Sequence, residues 1–141
     1  DNPYPSEPLL FVDPTTLNFD TKLTTMEFIV KNVGSKMLNW TAAENPEESW
    51  VISITPNNGS LSSQQAVTVA VKIDRSGLSE GNYTTKLTVS SNGGEQDVLI
   101  NMTVLNSLSP EISFLLLKII FIRTSANEGS FSMIFLAFSS A

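Results

Sequence analysis

The chain contains no cysteine and no histidine. The first absence removes disulfide frameworks and thiolate nucleophiles, and the two together remove the usual zinc ligand sets and every triad that needs an imidazole base. Positive charge is also scarce, with eight Lys and Arg against fourteen Asp and Glu and a formal net charge of −6. Those eight (Lys22, Lys31, Lys36, Lys72, Arg75, Lys86, Lys118 and Arg123) are scattered along the chain. No basic patch is left to neutralise a phosphate backbone, so nucleic acid is not an expected partner. Absence of cysteine is neutral about compartment, because an exported domain with an adequate core does not need disulfides.

What is present suits one compact domain with appendages: 141 residues, 41% of them hydrophobic. The chain opens on Asp1 and not on methionine, which leads us to expect an upstream segment such as a signal peptide and an exported protein. The first eight residues, DNPYPSEP, hold three prolines and two acids. That composition reads as an extended, solvated linker over 1–8.

From residue 9 to residue 105 the dominant period is two, as in strands with one buried face. Met26, Phe28 and Val30 share a face, as do Leu38 with Trp40, and Trp50 with Ile52 and Ile54. Val67, Val69, Val71 and Ile73 alternate with Thr68, Ala70 and Lys72. Further on, Tyr83, Leu87 and Val89 form one set, and Val98, Ile100, Met102 and Val104 another. With LLFV and TLNF at the start, this makes seven to eight short strands. Turn signals separate them: NVGS at 32–35, ENPEES at 44–49, TPNNGS at 55–60, SGLSEGN at 76–82 and SNGG at 91–94. The expectation is an all-β, immunoglobulin-like antiparallel β-sandwich over 9–106. At its corner a strand ends near Asp74, Leu78 plugs the end of the core, and Tyr83 buries its ring while its hydroxyl bonds back to the corner backbone.

The succession PTTLNF, FIVKNVGS with LNW, WVISITPNNGSL, VTVAVKIDRSGLSEGNYTTKLTVSSNGG and VLINMTV resembles the BACON-type domain, the Bacteroidetes-associated, carbohydrate-binding, often N-terminal module, over about residues 13–105. The resemblance implies an immunoglobulin-like sandwich found in tandem or beside catalytic domains of exported bacterial surface proteins, lipoproteins among them. It also implies a choice between glycan binding and a spacer role. It carries over no ligand residue.

A sugar site on such a fold would need an exposed ring to stack on a pyranose. The candidates are Trp40, Trp50, Tyr83 and Tyr4. Trp40 is in phase with Leu38 and is read as core. Trp50, at the rim after an acidic loop, and Tyr83, at the corner, are the residues to assign if the domain binds glycans. Glu44, Glu47 and Glu48 sit close in sequence, but glycoside hydrolysis needs two carboxyls facing across a cleft, so no catalytic role is assigned and no enzyme is expected. Asp74, Glu80 and Asp97 have no spacing of a calcium loop, so no metal and no cofactor is expected. Four N-x-S/T triplets, at Asn39, Asn58, Asn82 and Asn101, are what chance delivers in a chain rich in Asn, Ser and Thr, and carry no expectation of glycosylation.

After Asn106 the character changes. ISFLLLKIIFI at 112–122 is eleven residues long and broken by Lys118, well short of the ~20 residues of a spanning helix. The tail over 107–141 is read as strands or a hairpin at 112–122 and 131–138 that docks on the domain, with a truncated second repeat, a chance hydrophobic tail and a membrane-associated tail all left open. Leu17 and Phe19 fall on Ile119 and Phe121 at an offset of 119 − 17 = 102. Unpaired apolar strands favour self-association. The expected role is a structural spacer or adhesive module beside neighbouring domains of a bacterial surface protein, with carbohydrate binding as the alternative.

Overall fold

The computed structural model describes residues 3–105; the readings of 107–141 as strands or as a second repeat lie outside the described residues. The described chain is all-β, with no helix among the described residues. It forms β1 (Leu10–Asp13), β2 (Thr16–Asn18), β3 (Thr25–Asn32), β4 (Leu38–Glu44), β5 (Val51–Thr55), β6 (Asn58–Leu61), β7 (Ala66–Ile73), β8 (Gly81–Ser91) and β9 (Gly94–Val104). One sheet has the order β1-β3-β7-β5 and the other β2-β9-β8-β4-β6. Alternation builds the shared core: Phe28, Val30, Val69, Val71 and Ile73 from the first sheet meet Leu17, Leu38, Trp40, Leu87, Val89, Val98 and Ile100 from the second.

Strand assignment differs from the sequence expectation in three places. Nine strands replace seven or eight, because the second half of the TPNNGS turn, Asn58 to Ser60, belongs to β6. That strand is four residues with a glycine and a single apolar side chain facing in, too little alternation to register. The sandwich is also not wholly antiparallel. The chain leaves the first sheet at the cis Asp13–Pro14 peptide and continues in the second as β2, parallel to β9. Finally, Trp50, Ile52 and Ile54 do not share a face: a bulge between Val51 and Ser53 shifts the register of β5 on β7, and Ile52 is 53% exposed.

The SNGG hairpin forms as its residues dictate. β8 and β9 pair over eleven positions from Gly81↔Val104 to Ser91↔Gly94, closed by Asn92 and Gly93. Gly94 sits at φ +119°, a conformation that glycine adopts without the Cβ penalty. At the C-terminal end of β3, the turn 32–35 is organised by Asn32, whose side chain is fully buried. Its Oδ1 accepts from Leu9 N (3.3 Å) and Gly34 N (3.0 Å). Its Nδ2 donates to Lys36 O (2.7 Å) and Leu61 O (3.0 Å). The 1–8 stretch lies outside the strands, yet Ser35 N donates to the carbonyls of Pro5 and Glu7, and Lys36 pairs with Glu7. Gly34 lies so close under this stretch that a Cβ there would collide with the Glu7 carbonyl.

Candidate functional site

The aromatic residues singled out for sugar stacking are placed by the core. Trp40, facing inward on β4, is 3% exposed and lies beneath Gly59 of the facing strand β6. A Cβ at Gly59 would sit 3.2 Å from the indole Nε1, tighter than an ordinary contact, so a larger residue there would press on the ring. The indole N–H has no hydrogen-bond partner. Trp50 is 4% exposed and meets the edge of Tyr83, with ring centroids 6.4 Å apart and planes at 68°. That T-shaped geometry suits the ring quadrupoles.

Tyr83 is half-buried against the core, and its hydroxyl donates to the Ser79 carbonyl at 2.9 Å. This is the corner bond that the DRSGLSEGNY segment leads one to expect, and Leu78 packs against the same cluster. Trp50 and Tyr83 are therefore brought together in a T-shaped contact, with Trp50 buried and Tyr83 half-buried. Tyr4, at 45% exposed, lies outside the strands.

The acids stay dispersed in role. Glu44 ends β4 on its inward face, and its Oε1 is buried without a hydrogen-bond partner. Burial pushes its carboxyl above the usual range, opposed by the Glu48 backbone N–H and reinforced by the charges of Glu47 and Glu48. Asp74 is held below the usual range by the backbone and hydroxyl of Ser76, and Asp97 by Thr88 and Lys86. Among the described residues no three acids come close enough to hold a metal ion.

Two features escaped the sequence. The first is Arg75, whose guanidinium donates to four carbonyl oxygens: Leu23 (2.6 Å), Asp20 (2.9 Å), Phe19 (3.1 Å) and Thr103 (3.2 Å). Five fixed N–H donors suit such a role. The only signal was a lone cation beside a turn. The second is that the N-x-S/T triplets are paired. Asn82-x-Thr84 opposes Asn101-x-Thr103 in antiparallel register, and Asn39-x-Thr41 opposes Asn58-x-Ser60. Thr103 donates to Asn82 (2.9 Å), Thr84 to Asn101 (3.1 Å) and Ser60 to Asn39 (2.7 Å). A spacing of two on facing strands puts each Asn opposite a hydroxyl.

Residues 9–105 match the family described as the viral BACON domain, and the chain belongs to that family. No curated protein matches the sequence. Among solved structures, the chain is similar to the ASH/PapD-like domain 7 of human CEP192. The TM-score is 0.58 at 14% identity, over 74% of this chain and 90% of that one. It is also similar to the CsuC–CsuE chaperone and tip adhesion subunit pre-assembly complex of Acinetobacter baumannii, with a TM-score of 0.57 at 12% identity over 77% of this chain and 65% of that one. A third is a protein of unknown function from Porphyromonas gingivalis W83, with a TM-score of 0.54 at 16% identity over 72% of this chain and 50% of that one. The chain thus spans half of the last and just under two thirds of the second. At these identities the likeness is one of fold: an immunoglobulin-like, PapD-like β-sandwich.

Proposed function

We propose that this domain is a non-catalytic spacer module of a larger, exported surface protein, holding its neighbours apart. The matched family is described as viral, so the surface inferred extends beyond a bacterial cell to that of a virus particle. One observation carries the reading: the described chain enters and leaves at opposite poles. Leu10 N bonds the carbonyl of Gly93, beside the start of β9, while the chain departs after Val104 at its finish. Eleven extended residues separate the two poles, a span of roughly 35 Å at ~3.4 Å per residue. A module threaded this way adds nearly its whole length to the distance between its neighbours.

The aromatic residues support the same reading. Trp40 and Trp50 are buried in the core and the Tyr83 hydroxyl is engaged at the corner, which supports the spacer over the glycan-binding alternative at Trp50 and Tyr83. Partners on this reading are the adjoining domains, and the apolar segment at 107–141 is assigned, on sequence alone, to self-association. Calorimetric titration of the full chain with host and plant glycans tests the choice. No heat of binding is expected; saturable binding lost in Trp50→Ala, with the fold retained, would establish the alternative.

A further inference from the structure

We propose that the domain is built to bear tension along its chain axis, with β2 and β9 as a shear clamp and Arg75 as the staple that locks it. The proposal rests on the spacer reading, since only a module strung between neighbours is pulled through its ends.

The argument is geometric. β2 lies near the start of the described chain and β9 at its end, and the two are paired in parallel, Thr16↔Leu99 through Asn18↔Asn101. Tension at the two ends is carried first by β1, whose four-position ladder on β3 must give way, and then drags β2 toward its own N-terminus and β9 toward its own C-terminus. For parallel neighbours these directions oppose along one shared axis. The bonds between them are then loaded together in shear, not opened one at a time.

The three-residue ladder is lengthened on both sides. Leu99 N donates to Thr15 O at 2.9 Å before it, and Phe19 N to Asn101 O (2.8 Å) and Thr103 N to Asp20 O (2.8 Å) after it. Arg75 completes the joint. Its Nη2 holds the carbonyls of Phe19 and Asp20, which follow β2, while its Nε holds that of Thr103 near the end of β9. The guanidinium also holds Leu23 O and is anchored at the end of β7, so sliding β2 past β9 requires its planar fork to release several acceptors at once. Leu17 adds to the resistance, because it is fully buried and must leave the core for β2 to move.

Single-molecule force spectroscopy on the full chain tests this, and the absence of native cysteine makes handle placement specific. Handles at Ser6→Cys and Leu105→Cys pull through the clamp. Handles at Met37→Cys and Ser62→Cys flank the Leu38↔Leu61 pair and unzip β6 from β4. The expected result is a higher unfolding force on the first axis, lowered by Arg75→Leu there and unchanged on the second. Arg75→Lys, which keeps the charge without the fork, is expected to fall between the two and serves if Arg75→Leu does not fold. Equal forces on the two axes overturn the clamp, and an equal loss on both axes in the Arg75 variants overturns the staple. Neither outcome touches the spacer reading, which stands or falls on glycan binding.

Discussion

Asn32 is the residue whose replacement separates packing from polar satisfaction most cleanly. Its carboxamide is fully buried and joins four backbone groups from three parts of the chain: Leu9 N, Gly34 N, Lys36 O and Leu61 O. In Asn32→Ala all four lose their partner. The two at Leu9 and Lys36 are only part-buried and regain water, while those at Gly34 and Leu61 do not. At ~1–3 kcal/mol for each buried unsatisfied group, the expected cost is about 4 kcal/mol, against a total stability of order 5–15 kcal/mol.

Asn32→Asp is nearly isosteric and keeps Oδ1 in place, but turns the second oxygen toward two carbonyls at 2.7 and 3.0 Å. Its folded pKa must then lie above the unfolded ~3.9. The folded state holds the proton longer, so stability is highest below the unfolded pKa and is lost as pH rises toward the folded one. Urea unfolding at a series of pH values reads both effects. Asn32→Asp should gain stability on acidification relative to wild type, while Asn32→Ala should track the wild-type profile at a constant deficit. An Asn32→Ala deficit under ~1 kcal/mol, or an Asn32→Asp profile parallel to wild type, would refute the assignment of Asn32 as the organiser of the turn.

Other outcomes follow from the same geometry. In a double-mutant cycle, Asn82→Ala and Thr103→Ala should each cost about 0.2–1 kcal/mol and together little more than one alone, because they break a single cross-strand pair. Asn82→Ala with Asn101→Ala, which break different pairs, should be additive. For Glu44, whose folded pKa is raised by burial, stability should decline as pH rises from the unfolded value through the folded one, and Glu44→Gln should flatten that decline in urea midpoints. An unchanged slope would place the carboxyl in water instead.

Much of the fold was legible because period-two alternation reports burial directly: Val67 to Ile73 and Val98 to Val104 face as their spacing says, and Asn92 with its two glycines marks the hairpin. The corner role of Tyr83 was legible for the same reason, a ring in phase with core residues beside a turn. The bulge at Ile52 was not, since a one-residue insertion leaves the apolar residues themselves unchanged. Nor was β6, whose identity as a strand comes from its pairing with β4, in which Gly59 faces Trp40, a relation between residues nineteen apart in sequence (59 − 40).

Arg75 and Asn32 stayed hidden for a related reason. Their meaning lies in carbonyls and amides that the fold brings to them, and backbone groups have no sequence signature. The N-x-S/T triplets, read as chance, became meaningful only when strand pairing set them opposite one another. A threonine two residues after an asparagine is weak information until the facing strand runs the other way.

The measurement that bears most directly on the account is tryptophan emission of the full chain, with acrylamide quenching, in the presence and absence of the glycan panel. Because Trp40 and Trp50 are its two tryptophans and both are buried, emission should be blue-shifted, poorly quenched and indifferent to every glycan. A red-shifted, readily quenched component that a glycan protects would put Trp50 at a sugar site and contradict the spacer reading.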